Sequence, residues 1–187
     1  MSLSLAELRV VAQEVAREIE GGVVRGLAVP EPDIAVLTVE AAGSLVRVLF
    51  SVRKGETRMH LTRMDLRNPR DTAPAFLGPA RRELLGATVE RVSAWRDDRV
   101  VTFELAPRRL LLFEGTGHHP NLFVLWPDRR IICMLRPSLS HRRDLRPGTR
   151  YVPPLPHPVR SDAIRFLGAF GSVSEEIERH YMSRQSR

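Results

Sequence analysis

The sequence contains one cysteine, one lysine and no apolar run long enough to cross a bilayer. A spanning helix needs roughly 18 apolar residues, so no membrane partner is expected. A single cysteine, Cys133, excludes an internal disulfide and any multi-cysteine zinc site. It lies in the apolar run IICML and reads as a small core residue, which fits a reducing compartment. The opening residues lack the basic and long apolar regions of a signal peptide, and a cytoplasmic location is expected. Glycine-rich phosphate loops, GxSxG elbows, HExxH and CxxC are also missing. No nucleophile–base set, metal cluster or cofactor site can be assembled, so the chain is not expected to be an enzyme by itself.

What the chain does have is arginine. The formal charge is +7, and every basic residue except Lys54 is an arginine. A net-basic chain favours polyanions, and the planar guanidinium suits phosphate. A genome rich in G and C would produce the same arginine bias without any change of function. The charge, rather than the bias, points toward nucleic acid. At 187 residues the chain suits one domain with a short appendage and can bury a sizeable core.

Ser4-x-x-Glu7 reads as a capping box opening a helix with Leu5, Leu8, Val11, Ala12, Val15 and Ile19 at helical spacing, stopped by Gly21 and Gly22. Four β-rich runs follow: VVRGLAV, IAVLTVE, LVRVLFSV and RMHLTR. A second helix is expected near 75–85, with Pro79 implying a late start or a kink. ATVERVSAW, VVTFELA, RLLLFEG, NLFVLW and RIICMLR are five more β runs, with Pro127-Asp128 a type I turn. The pattern predicts an α+β fold: a two-sheet β-sandwich-like core with flanking helices over residues 1–160. Residues 137–158 are Pro- and Arg-rich and read as irregular. A helical tail is expected over 161–187, opening at Ser161 and restarting at Ser172. Its stripe of Val173, Ile177 and Tyr181 has no obvious partner, so the tail is expected to protrude and to begin a coiled-coil arm able to self-associate.

Two stretches carry candidate chemistry. In SAWRDDRVVTFEL, Asp97, Asp98 and Arg99 lie between two β runs, and turn chemistry alone makes them a solvated hairpin tip. In EGTGHHPN, His118 and His119 are adjacent and would point to opposite sides of a strand, a poor start for a metal site, so no metal is expected. The pair Arg81-Arg82 on the second helix, and the pairs at 108–109, 129–130 and 142–143, imply a basic surface without a sequence code.

Taken in order, SLAELRVVAQEVAREIEGG, RMHLT, AFLGPARRELLGATVERV, DDRVVTFEL, FEGTGHHPNLFVL and LRPGTRYVPP resemble the N-terminal domain of the NFACT family. These are ribosome-associated quality-control factors first described as fibronectin-binding proteins. The resemblance covers roughly residues 4–160. It implies a fold like the N-terminal domain of formamidopyrimidine-DNA glycosylase, and binding of tRNA and of the large ribosomal subunit through its rRNA. The implied task is template-free tailing of stalled nascent chains. Asp98 and Arg99 match the family's tRNA-engaging pair, and Glu7 falls where the family commonly has Asp in the first helix. Arg81 and Arg82 match its basic pair. Gly117, His118, His119 and Asn121 stand in a loop of uncertain role where the family has GRHSN.

Two rivals follow from the same resemblance. A glycosylase-type enzyme would need a proline amine after the initiator Met and a glutamate beside it, but Ser2 and Leu3 occupy those positions. A fibronectin-binding adhesin has no export signal in its favour.

Overall fold

The computed structural model describes residues 2–65, 72–116, 119–138, 143–155, 163–169 and 171–185. Helix α1 spans Leu5–Ile19 and opens with the expected capping box: the Glu7 N–H donates to Ser4 Oγ at 3.1 Å and the Ser4 N–H to Glu7 Oε2 at 2.8 Å. Its apolar stripe is buried along its length. At its end the chain passes so close to the neighbouring strand that a Cβ on Gly22 would lie 2.6 Å from Val39 Cγ1, which only glycine avoids.

All nine predicted β runs form strands: β1 Val23–Glu31, β2 Ile34–Ala41, β3 Ser44–Ser51, β4 Arg58–Leu61, β5 Thr88–Ala94, β6 Val100–Ala106, β7 Arg109–Glu114, β8 Asn121–Leu125 and β9 Ile131–Met134. Helix α2, Pro74–Leu84, carries Pro79 in its interior and packs on β1 and β9.

The two expected sheets are one. Hydrogen bonding runs unbroken through β4-β3-β2-β1-β5-β6-β7-β8-β9, antiparallel throughout. The join is narrow, with Val23 opposite Thr88 and Val89 exchanging backbone bonds with Gly21 and Gly22. Yet Phe50 of β3 meets Phe103 of β6 edge to face, with ring centroids 5.4 Å apart. Four strand spacings of about 4.8 Å would hold these strands roughly 19 Å apart in a flat sheet. The sheet therefore curls over on itself, and its halves share one core of aliphatic and aromatic side chains. Cys133 is part of that core, and burial pushes its thiol up to about 12.

The tail also differs from expectation. Residues 163–169 are not helical, Ser161 lies outside the described residues, and α3 runs from Val173 to Gln185. Val173, Ile177 and Tyr181 are buried in the main core, where α3 packs on β4 and α1. The stripe proposed for self-association is thus already covered by this chain, and α3 does not protrude. Periodicity shows that a stripe will be buried, but not against what.

Candidate nucleic-acid interface

The β5–β6 turn presents Asp98 and Arg99, and neither is largely exposed as a presenting tip would require; both are half-buried. The local bonding gives the reason. Asp98 Oδ1 accepts the Arg99 N–H at 2.7 Å and the Thr116 hydroxyl, while Arg99 Nη1 donates to the Leu3 carbonyl at 3.2 Å. Burial lowers the affinity of Arg99 for its proton, with the Asp98 charge partly compensating. No salt bridge closes between the two side chains among the described residues.

The turn is tied to a second predicted stretch. The Gly115 N–H donates to the Arg99 carbonyl at 2.7 Å, and a Cβ on Gly115 would sit 3.1 Å from that oxygen. The β7–β8 loop is therefore held against the turn by Gly115 and Thr116. Gly117 and His118 lie outside the described residues. His119 is exposed. Asn121 is a structural latch: its Nδ2 donates to the Arg136 carbonyl at 2.8 Å, and its Oδ1 accepts the Leu122 and Arg136 N–H groups. The cavity beside it, lined by His119, Asn121, Arg136 and Arg143, is about 20 Å³, room for a water and little more.

Under the same loop, Glu114 is wholly buried, accepting from Arg143 at 2.7 and 2.9 Å and from the Tyr151 hydroxyl at 2.6 Å. Burial and the adjacent Glu114 carboxylate both push the Tyr151 hydroxyl's pKa well up, so it stays a donor. This set anchors the Pro- and Arg-rich segment beneath the turn.

Glu7 reaches the same end of the molecule by another route. The N-terminal segment runs between the two arginines: Arg99 donates to the Leu3 carbonyl and Arg165 Nη2 to the Ser2 carbonyl at 2.9 Å. Glu7 has no exposed surface and is occupied by Arg165. A direct contact between Glu7 and RNA, expected from sequence, is not available in this conformation. Arg81 and Arg82 lie on α2, over β1 and β9; Arg81 is half-buried with Nε on the Leu27 carbonyl at 2.9 Å, while Arg82 is exposed.

Thr116, Arg165, Glu114, Arg143 and Tyr151 are the site residues that sequence did not reveal. The one usable signal was the small residue on each side of Thr116, which permits a tight approach. A groove of about 270 Å³ between α1 and β5, lined by Arg9, Gln13 and Ser93, runs toward the turn. After its internal bonds are counted, Asp98 Oδ2 and Arg99 Nε and Nη2 make no hydrogen bond among the described residues. The site therefore offers a fixed carboxylate beside a fixed guanidinium, a pair suited to hydrogen-bonded recognition. No group of His, Cys, Asp or Glu among the described residues is arranged to hold a metal, and no described helix is long and apolar enough to cross a membrane.

A family model described as NFACT N-terminal and middle domains matches residues 5–178. The Rqc2 homolog RqcH of Bacillus subtilis (strain 168) is 24% identical over 191 aligned residues, covering 91% of this chain and 33% of that protein. The chain thus spans about a third of the length of the curated relative it matches. Among solved structures, the N-terminal domain of fibronectin-binding protein PavA from Streptococcus pneumoniae superposes with a TM-score of 0.74 at 20% identity, covering 97% of this chain and 73% of that one. The N-terminal part of the fibronectin/fibrinogen-binding protein from Streptococcus suis gives 0.74 at 24% identity, covering 83% and 62%. At these identities the superpositions establish the fold alone.

Proposed function

Since this chain belongs to the NFACT family, we propose that it is a non-catalytic RNA-binding domain of a ribosome-associated quality-control factor. In this reading it engages tRNA at the Asp98–Arg99 turn and the large ribosomal subunit through rRNA, in support of template-free tailing of stalled chains. The same reading takes the fold to be related to the formamidopyrimidine-DNA glycosylase N-terminal domain, and takes the chain beyond α3 to continue into a coiled-coil arm.

One observation carries the proposal. The turn is held rigid by Gly115, Thr116 and Leu3, yet Asp98 Oδ2 and two sides of the Arg99 guanidinium are left for a ligand. A rigid carboxylate–guanidinium pair can grip a phosphate or base edge while accepting from a ribose hydroxyl or base amine. Glu7 then acts through position: with Arg165 it fixes the Ser2–Leu3 segment on which Arg99 rests.

The test is tRNA binding by Asp98→Ala and Arg99→Ala. Arg99→Ala is expected to cost about 1–3 kcal/mol if it reads or stacks on a base. Asp98→Ala removes a negative charge, so purely electrostatic binding would tighten; specific recognition weakens instead. If Asp98→Ala binds tRNA more strongly, and a longer protein carrying it still tails stalled chains, the turn is only a turn.

A further inference from the structure

Alternate turns of an antiparallel meander fall at opposite ends of its strands. The β6–β7 and β8–β9 turns therefore lie at the end of the sheet away from Asp98 and Arg99. Direct contacts join them to α2 and to the segment around 150. Arg109 pairs with Glu83 of α2 at 2.6 Å, and its guanidinium lies 3.9 Å from the Trp126 ring centroid. The Trp126 N–H donates to the Arg130 carbonyl at 2.9 Å, and Arg130 in turn bridges to Arg150. Arg82, Arg108, Arg109, Arg129, Arg130 and Arg150 are thereby gathered at one end of the sheet, Arg109 on the α2 side and the Arg129 guanidinium on the other side, against Trp95.

Within the turns and their direct contacts the carboxylates are Glu83, Asp128 and Asp144, and each is already paired, with Arg109, Arg130 and Arg146. Arg82, Arg108, Arg129 and Arg150 are exposed and form no ion pair among the described residues. Two of them also occupy costly backbone positions. Arg108 has φ 51° and Arg129 φ 66°, left-handed conformations that glycine would adopt without penalty. Charge is thus concentrated at both turn tips despite the backbone.

The chemistry of this end selects among polyanions. Single strands need open aromatic platforms for their bases. Here Trp126 is covered by Arg109, and Trp95 has Arg129 5.8 Å from its ring centroid and its Nε1 on Thr102. Guanidinium groups without a stacking surface read phosphates and helix shape, as suits double-helical RNA.

We propose that this arginine-rich end of the sheet docks on the phosphate backbone of double-helical RNA, as a second surface separate from the Asp98–Arg99 turn. The choice of RNA over DNA rests on the function proposed above, and the phosphate preference rests on the geometry alone.

The experiment compares the full chain with R108G/R129G in binding a blunt RNA duplex across a salt series. Glycine suits both backbone positions, so the variant is expected to keep the wild-type urea midpoint. Each phosphate contact contributes about 0.9 to the slope of log affinity against log salt. The double variant should lose nearly two units of slope and about tenfold in low-salt affinity. Arg25→Gln, which removes an arginine already paired with Glu40, should leave both unchanged. A wild-type slope and affinity in R108G/R129G overturns the proposal. Equal arginine-dependent binding to a DNA duplex overturns the assignment to RNA, and arginine-dependent binding to anionic vesicles with none to RNA overturns the partner class. If Asp98 and Arg99 variants weaken tRNA binding while R108G/R129G does nothing, the second surface falls and the reading of the turn stands.

Discussion

Arg165 closes over Glu7 with three bonds: Nε to Oε1 at 2.9 Å, Nη2 to Oε2 at 2.7 Å, and the backbone N–H to Oε1 at 2.7 Å. With the Ser4 N–H, these satisfy a carboxylate that has no exposed surface. A buried charge is tolerable only on those terms. Arg165→Ala strands that charge, and because Arg165 is 28% exposed the cost belongs at the low end for a broken buried pair, about 3 kcal/mol.

The pH dependence of the same pair has a definite sign. Burial alone would raise the Glu7 pKa, but the bonds from Arg165 and Ser4 outweigh it and hold the carboxyl below its ordinary 4.5. The stabilisation is therefore present above pH 4.5 and is lost as pH falls through the lowered native value. Urea unfolding at neutral pH should separate wild type from Arg165→Ala clearly, and the gap should narrow in acid. A gap independent of pH would mean that Glu7 is not the group involved.

His60 gives a second titration. It is buried on β4, its Nδ1 donating to the Leu61 carbonyl at 2.7 Å, and its Nε2 has no partner among the described residues. Burial, aided by the nearby Arg58 charge, lowers its pKa to about 4. The unfolded chain takes up this proton below pH 6.5 while the native chain refuses it until about 4, so stability falls as pH drops through that window. The urea midpoint of wild type should decline between pH 6.5 and 4, and that of His60→Phe should decline less.

Much of this fold was legible in the sequence because each β run is bounded by its own turn signal, and all nine strands form where the runs are. Sheet number was not legible. Strand patterning shows which faces are buried, and both a sandwich and a curled single sheet bury the same residues; the difference lies in the short seam of Gly21, Gly22 and Val89. Residues 163–169 read as helical, but the Leu167 and Gly168 N–H groups instead donate to Glu176 of α3. Asp98 and Arg99 stood out as a charged tip. Their half-burial did not, because it depends on Leu3 and Thr116, distant in sequence and unremarkable in type.

Helix α3 supports the core to which it was not expected to belong. Ile177 is fully buried with Tyr181, and Tyr181 lies under the Arg58 guanidinium, 4.2 Å from the ring centroid. Ser174 accepts the Leu61 N–H at 2.9 Å and so pairs the edge strand β4 with the helix. Ile177→Ala should cost about 2–5 kcal/mol of global stability, as for other large core deletions. A protruding helix would predict almost no change, so the urea midpoint decides between the two.

The tie between Thr116 and Asp98 is the sharpest probe of the proposed RNA contact. The hydroxyl donates to Asp98 Oδ1, the oxygen that also accepts the Arg99 N–H, and so leaves Oδ2 for a ligand. Thr116→Val removes the donor with little change in shape and no change in charge. Losing an ordinary hydrogen bond to a charged group costs about 1.5–3 kcal/mol at most, so the chain should still fold. If Asp98 recognises RNA by orientation, Thr116→Val weakens tRNA binding severalfold with an unchanged salt slope, because no phosphate contact is lost. If the turn contributes only charge, affinity and slope both stay at wild-type values, and the carboxylate has no role in recognition. Thr116→Ser, which restores the donor, should recover binding in the first case and discriminates a positioning role from a packing defect.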